Sequence, residues 1–315
     1  ERDYQLVGSF YAFAIWIGVG VYALFHALRK VLSPRIGAPL AVVASLLAVP
    51  VLMASENWDD HNRSQKYSAE FIADAYLSSV AKDKDAMIFT IGDNDTFLLW
   101  YAQEIEGYRT DVRVINTSLL QTDWYIDQMK RQAYQSSPIP GEMVHKQYAH
   151  GVREGVYFQK RTENRWNIKD FVKWVTSDDP NTQLSSSSSE SRTFNYYPTN
   201  KIRIPVNKEN VLKSGIVKPE DADKIVDYID ITLPSAIDKA RIVMLDILAY
   251  NDWKRPIYFS GGSMDSAEYI WMKEYLQLDG LVYKLVPIKT EIDKKHPFDM
   301  GRIDSNLMYN IIKKW

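Results

Sequence analysis

Two carboxylates stand two residues apart, Asp93 and Asp95, on either side of Asn94 in the stretch AMIFTIGDNDTFLLW, residues 86–100. That spacing could hold a divalent cation bridging a diphosphate, grip sugar hydroxyls, or supply a general base. The string also has a reading that needs no ligand. Asp95 or Thr96 can cap a helix by accepting from a free backbone amide. A helix N-terminus favours a bound anion or a capping carboxylate, not both at one spot. A second turn, Asn251 and Asp252 through Arg255 and Pro256, leads into Ile257–Ser260 and then Gly261, Gly262 and Ser263. Two glycines there let a backbone approach a ligand closely, or simply make a tight connection. Asp59, Asp60 and His61, and the pair His145 and His150, are metal-ligating types. No further ligand follows them at a characteristic spacing, so no metal site is assigned.

The elements that must position these groups follow from periodicity. Residues 86–91 form one apolar run and read as a buried strand; 92–96 read as its turn and 97–106 as the following helix. Residues 111–116 read as a second strand and 119–134 as the next helix, after a helix over 67–80. Helix and strand alternate with crossovers long enough for parallel pairing, which predicts a Rossmann-like α/β layer of four to six strands. Ligands tend to sit at the edge where such strands turn into helices. Residues 136–155 read as a loop, and about 136–220 as an irregular insertion that includes a serine run at 185–189. Within it, 168–175 is a short helix and 199–206 an edge strand, demoted by Pro205. Beyond it come a strand at 228–233, a helix at 235–250, a helix at 267–276, a strand at 281–287 and a last helix at 305–314.

Composition removes several functions. The chain has 315 residues, no cysteine and a net charge of -2. Disulfides, cysteine-bound metal and thiol catalysis are out, and there is no field to gather nucleic acid. No GxGxxG, P-loop, HExxH or Gly-x-Ser-x-Gly string occurs. The 20 Tyr, 11 Phe and 9 Trp suit interfaces, carbohydrate stacking or a membrane boundary.

The first 54 residues read as two transmembrane helices. Residues 6–28 carry no formal charge and are long enough to span ~30 Å of hydrocarbon. Residues 37–54 are a second, shorter span that Pro50 would end or kink. Two buried helices of a soluble protein are the alternative. Arg29, Lys30 and Arg35 make the connection cationic, which places it in the cytoplasm and residues 55–315 outside, in the periplasm of a Gram-negative cell. Ser55 to Arg63 reads as a solvated link or a helix cap. Because the chain starts at Glu1 and ends on helical residues, it is expected to be a fragment or a processed product.

GDNDTFLLWY from Gly92, EIEGYRT from Glu104 and TDWYIDQMKR from Thr122 resemble a known family. So do ENWDDHNRS from Glu56, RPIYFS from Arg255 and LVYKLVP from Leu281. The chain is similar to a family of multi-pass membrane proteins common in Bacteroidetes, related to the eukaryotic transmembrane protein O-mannosyltransferase. The resemblance implies a GT-C-type glycosyltransferase of the inner membrane that takes its sugar from a polyprenyl-phosphate donor. The catalytic Asp implied for that class lies in a first extracytoplasmic loop that this chain does not contain, so no catalytic residue is carried over. The α/β domain would position or recognise a periplasmic acceptor protein or a partner membrane complex. Its ligand or acceptor surface is expected to use Asp93, Asn94, Asp95, Thr96, Trp100, Trp124, Asn251, Asp252, Gly261 and Gly262. Two other functions remain open: a non-catalytic membrane-anchored binding or assembly subunit, and a metal-dependent hydrolase or phosphotransferase built on Asp93 and Asp95.

Overall fold

A computed structural model of the chain describes residues 6–185, 193–260, 271–291 and 302–314. Gly261, Gly262 and most of the serine run therefore lie outside the described residues, as does the first part of the helix expected over 267–276. The chain divides into two compact units, Glu1–Lys66 and Tyr67–Trp315.

The first unit holds two apolar helices, consistent with a transmembrane hairpin. In α1 (Val7–Leu28) no residue is buried, so it is not packed as a soluble core helix. The second helical stretch runs from Pro34 to His61. It comprises α2 (Pro34–Leu46), a π-helical turn at Leu47–Val51 and α3 (Leu52–His61). Gly37 lets α2 approach Leu28 of α1. Pro50 neither ends the helix nor opens a link after Ala54. The widened turn takes up the missing amide and the ring, and helix continues through Ser55–His61. Side chains of Ser55 and Asn57 bond carbonyls one turn back, at 2.9 Å each.

The second unit is a mixed α/β domain. After α4 (Ser68–Ser79) comes β1 (Met87–Thr90), all four residues buried, as a strand covered on both faces requires. Next are α5 (Asp93–Glu104), β2 (Arg113–Asn116), a 3-10 turn at Leu119–Gln121 and α6 (Asp123–Met129). The helix expected from 97 thus starts at Asp93. The one expected over 119–134 is broken at Thr122, whose extended backbone caps α6.

Residues 136–220, expected as an irregular insertion, contain β3 (Gly155–Phe158), β4 (Trp166–Asn167), α7 (Ile168–Val175), β5 (Gln183–Ser185), β6 (Thr193–Tyr197), β7 (Lys201–Pro205) and α8 (Lys208–Ser214). β8 (Tyr228–Thr232) and β9 (Ala236–Asp238) complete two small sheets, ordered β5-β6-β3-β9 and β4-β7-β8. β7 is central in the second of these. Pro205 is tolerated because β4 reaches only Ile202 and Arg203, leaving the proline paired on one side.

α9 (Lys239–Asn251) is buried at every residue except Tyr250, the pattern of a helix enclosed on all sides. The three residues before it were expected to be helical but form β9, and Asp238 then caps α9 at the Arg241 amide. β10 (Ile257–Ser260), β11 (Leu276–Asp279), β12 (Val282–Leu285), β13 (Arg302–Asp304) and α10 (Ser305–Ile312) close the chain. Leu276 opens a strand instead of ending a helix.

The principal sheet has the order β13-β11-β12-β10-β1-β2. β10, β1 and β2 run parallel, which the sequence spacing implied for β1 and β2, while β12 is antiparallel to both neighbours. The β11–β12 hairpin turns through Gly280 at φ +58, where a side chain would meet the Ser79 hydroxyl.

Candidate functional site

The GDNDT string is the first turn of α5. The carboxylate of Asp95 accepts from the amides of Ile91 at 2.9 Å and Gly92 at 3.0 Å, and from the Ser260 hydroxyl. Both of its oxygens are therefore occupied, and the residue is buried. Thr96 is buried too. Its hydroxyl pairs with that of Thr90 at 2.7 Å and accepts from Asn116 Nδ2 at 2.8 Å. Asn116 Oδ1 in turn accepts from the Leu119 amide. Asp95 and Thr96 thus tie together the C-terminal ends of β1, β2 and β10. Asp93 and Asn94 remain exposed. The two carboxylates do not converge on one point.

The second turn lies elsewhere. Asn251 is buried and closes its own loop, donating to the Arg255 carbonyl at 2.8 Å. Asp252, at φ +48, accepts from the side chains of Asn207 and Asn210. This turn precedes β10, whereas GDNDT follows β1, and the two strands are parallel. Asn251 and Asp252 therefore sit at the opposite end of the sheet from GDNDT, while Gly261, Gly262 and Ser263, which follow β10, lie outside the described residues. Among the described residues no group of three or more His, Asp or Glu is placed to hold a metal ion.

What the fold does bring together is Trp100 and Trp124. They line a groove of about 300 Å³ with Gln103, Val114, Tyr125 and Tyr134 among the other lining residues. Its location follows from the sheet. β2 is an edge strand. Val112 and Val114 face the side that packs on Leu99 and Ala102 of α5, and Ile115 faces the side that packs on Tyr125 and Ile126 of α6. The two helices stand on opposite faces of the sheet, and the slot between them runs along its edge. Trp100 stacks on Phe97 at 5.7 Å, and Trp124, 57% exposed, meets Tyr125 edge-on at 5.5 Å. Two apolar ring faces with polar atoms between them suit a ligand having one wet side and one apolar side.

Reasoning from the sequence missed Gln103, Arg113, Tyr125 and Tyr134. A signal for Arg113 was present: a cation inside the apolar run VRVI must be satisfied within the protein. It is buried and donates to the carbonyls of Ser137, Arg131 and Ser136. Burial pushes the Tyr125 phenol up to about 12, so it stays neutral as it donates or accepts in the groove. Tyr134 donates to Glu104 across the rim.

α6, which carries Trp124, is held by its acidic side chains. Asp127 accepts from the Tyr148 hydroxyl at 2.7 Å and lies 3.0 Å from His145 Nδ1. Asp123 pairs with Lys239 Nζ at 3.0 Å and accepts from the His150 amide at 2.8 Å. The Tyr148 bond, and then the His145 contact, hold Asp127 below the ordinary carboxylate range. The Lys239 bond, then the His150 amide, do the same for Asp123. A carboxyl depressed on folding stabilises fully above its unfolded value of about 4, and that contribution is lost as pH falls through its lower folded value. Unfolding temperature is therefore expected to drop between pH 5 and pH 3 in the detergent-solubilised chain. Asp127→Asn should flatten that slope; an unchanged slope would show that the pair does not secure α6.

A family model described as TMEM260-associated domain 2 matches residues 69–307. No curated protein and no solved structure matches the chain.

Proposed function

This chain belongs to the TMEM260-associated domain 2 family, and from that premise we propose that it serves a membrane protein O-glycosyltransferase of the kind its Bacteroidetes resemblance implies. In this reading the sugar comes from a polyprenyl-phosphate donor and the α/β domain recognises the acceptor protein on the extracytoplasmic, periplasmic side. The supporting observation is the groove that Trp100 and Trp124 line together. The apolar helices and the cationic turn at Arg29, Lys30 and Arg35 support anchoring in the inner membrane with that orientation. No residue of this chain is assigned a catalytic role, and Trp100 and Trp124 are assigned to acceptor contact.

Removing the protein from its host is expected to abolish an O-linked glycan on at least one extracytoplasmic protein, read by mass spectrometry of glycopeptides. An unchanged set of glycopeptides would overturn the proposal. A non-catalytic binding or assembly role is the second reading. It is favoured by the use of Asp95 and Thr96 as structural ties. It predicts that membranes lacking the protein still glycosylate a small soluble acceptor. A hydrolase or phosphotransferase using Asp93 and Asp95 finds no support in the geometry, because Asp95 is buried with its carboxylate engaged in the cap of α5 while Asp93 is exposed.

A further inference from the structure

The groove has a floor as well as walls, and the floor is backbone. Among the described residues β2 pairs only with β1, in a register that sends the amides of Arg113 and Thr117 inward, to the carbonyls of Ala86 and Thr90 at 2.8 Å each. Alternation then turns the N–H and C=O groups of Val112, Val114 and Asn116 outward. Those at the two ends are taken. Gln103 Nε2 donates to the Val112 carbonyl at 2.8 Å, the Val112 amide donates to Arg109, and the Asn116 amide donates to the Tyr125 hydroxyl at 2.9 Å. Val114, between them, lines the groove at 4% exposure, and outside the β1–β2 ladder no hydrogen bond is made by its amide or carbonyl among the described residues.

We infer that the groove takes an extended peptide that adds to the outer edge of β2, exchanging both backbone hydrogen bonds with Val114. In an antiparallel pair one residue can make both of these bonds. The side chain of the peptide residue paired with Val114 would point to the α5 face, which carries Trp100, and its two flanking side chains to the α6 face, which carries Trp124. Charge complementarity specifies the peptide further. Arg113 lines the groove as a buried cation whose bonds run to neutral carbonyls; the Asp85 charge acts on it and Glu104 lines the same groove, but among the described residues no carboxylate is in ion-pair contact with it. A peptide with an acidic side chain on the α6 side supplies that direct contact. A saccharide offers the rings as good a partner but has no backbone amide and carbonyl to match Val114. The inference rests on the acceptor-recognition reading and specifies what the acceptor presents: an unpaired, extended, acidic segment.

The test uses the full chain in detergent micelles and an array of N-acetylated, C-amidated hexapeptides read by fluorescence polarisation. Members with an acidic residue are expected to bind with Kd below about 1 mM. N-methylation of the central amide should weaken binding about tenfold, since it removes one exchanged bond and adds a clash. Val114→Pro and Trp124→Ala should each do the same. The N-methyl comparison needs no altered protein, so it decides the matter even if Val114→Pro does not fold. Absence of any binding hexapeptide, or equal binding of N-methylated peptides, overturns strand addition. Displacement of bound peptide by simple hexosides at equal concentration also overturns it and assigns the groove to sugar. If strand addition fails while Trp100 and Trp124 variants still lose glycosylation, the acceptor reading stands. If removing the protein leaves the glycopeptides unchanged, that reading falls whatever the array shows.

Discussion

Replacing Asp95 by Ala is expected to destabilise the α/β domain by about 3 kcal/mol, while Asp93→Ala costs under about 1 kcal/mol. The two residues have the same side chain, two positions apart, so the contrast isolates their surroundings. Asp95 is buried and accepts from Ile91, Gly92 and Ser260. Its removal strips the cap of α5 and leaves two backbone amides and a hydroxyl without an acceptor, so the cap loss and the desolvation cost add. Asp93 is exposed and contributes only its charge near the helix start. Urea unfolding of the full chain in detergent, followed by circular dichroism, measures both. Equal losses, or a larger loss for Asp93, would show that the cap has been assigned to the wrong carboxylate.

The double variant Trp100→Ala, Trp124→Ala is expected to lower glycan occupancy on the acceptor by at least about tenfold. Each ring contributes a stacking face to whatever enters the groove, and aromatic anchors at such positions carry a disproportionate share of binding energy. Trp124 is 57% exposed, so Trp124→Ala alone should leave the unfolding transition nearly unmoved and still reduce occupancy. Cells lacking the native protein and supplied with each variant give the comparison. Full occupancy in the double variant would remove the groove from acceptor recognition.

The parallel pairing of β1 and β2 was legible because a helix-length crossover joins two short, mainly apolar runs, and β10 was legible as a strand of the same kind. The start of α5 was not. A polar string after a strand reads as a turn, and only the bonds from Ile91 and Gly92 to Asp95 reveal it as helix. The segment 136–220 hid its strands other than β7 for another reason. They are two to five residues long, and some pair at a distance, as Trp166 does with Ile202, so no local period announces them. At the candidate site, Trp100 and Trp124 were legible as residue types but not as neighbours. Their meeting depends on β2 being the edge strand, and that is a property of strand order. Asn251 and Asp252 show the converse. They form a plausible loop, and the parallel direction of β10 sets it at the opposite end of the sheet from GDNDT.

The position of β1 between β2 and β10 has a consequence for how the chain is made. Met87 pairs with Ile257, and the Phe89 and Phe259 rings stack at 5.5 Å. A ribosome must therefore add most of the domain before β1 acquires its second neighbour. Until then a wholly apolar strand waits with one ladder unmade, while the small sheets can form within the intervening segment. Such long-range closure slows folding and leaves an aggregation-prone intermediate in the interval. The polypeptide between β2 and β10 is thus a delay line, and a nascent chain of this protein is a natural client for chaperones that shield unpaired strands.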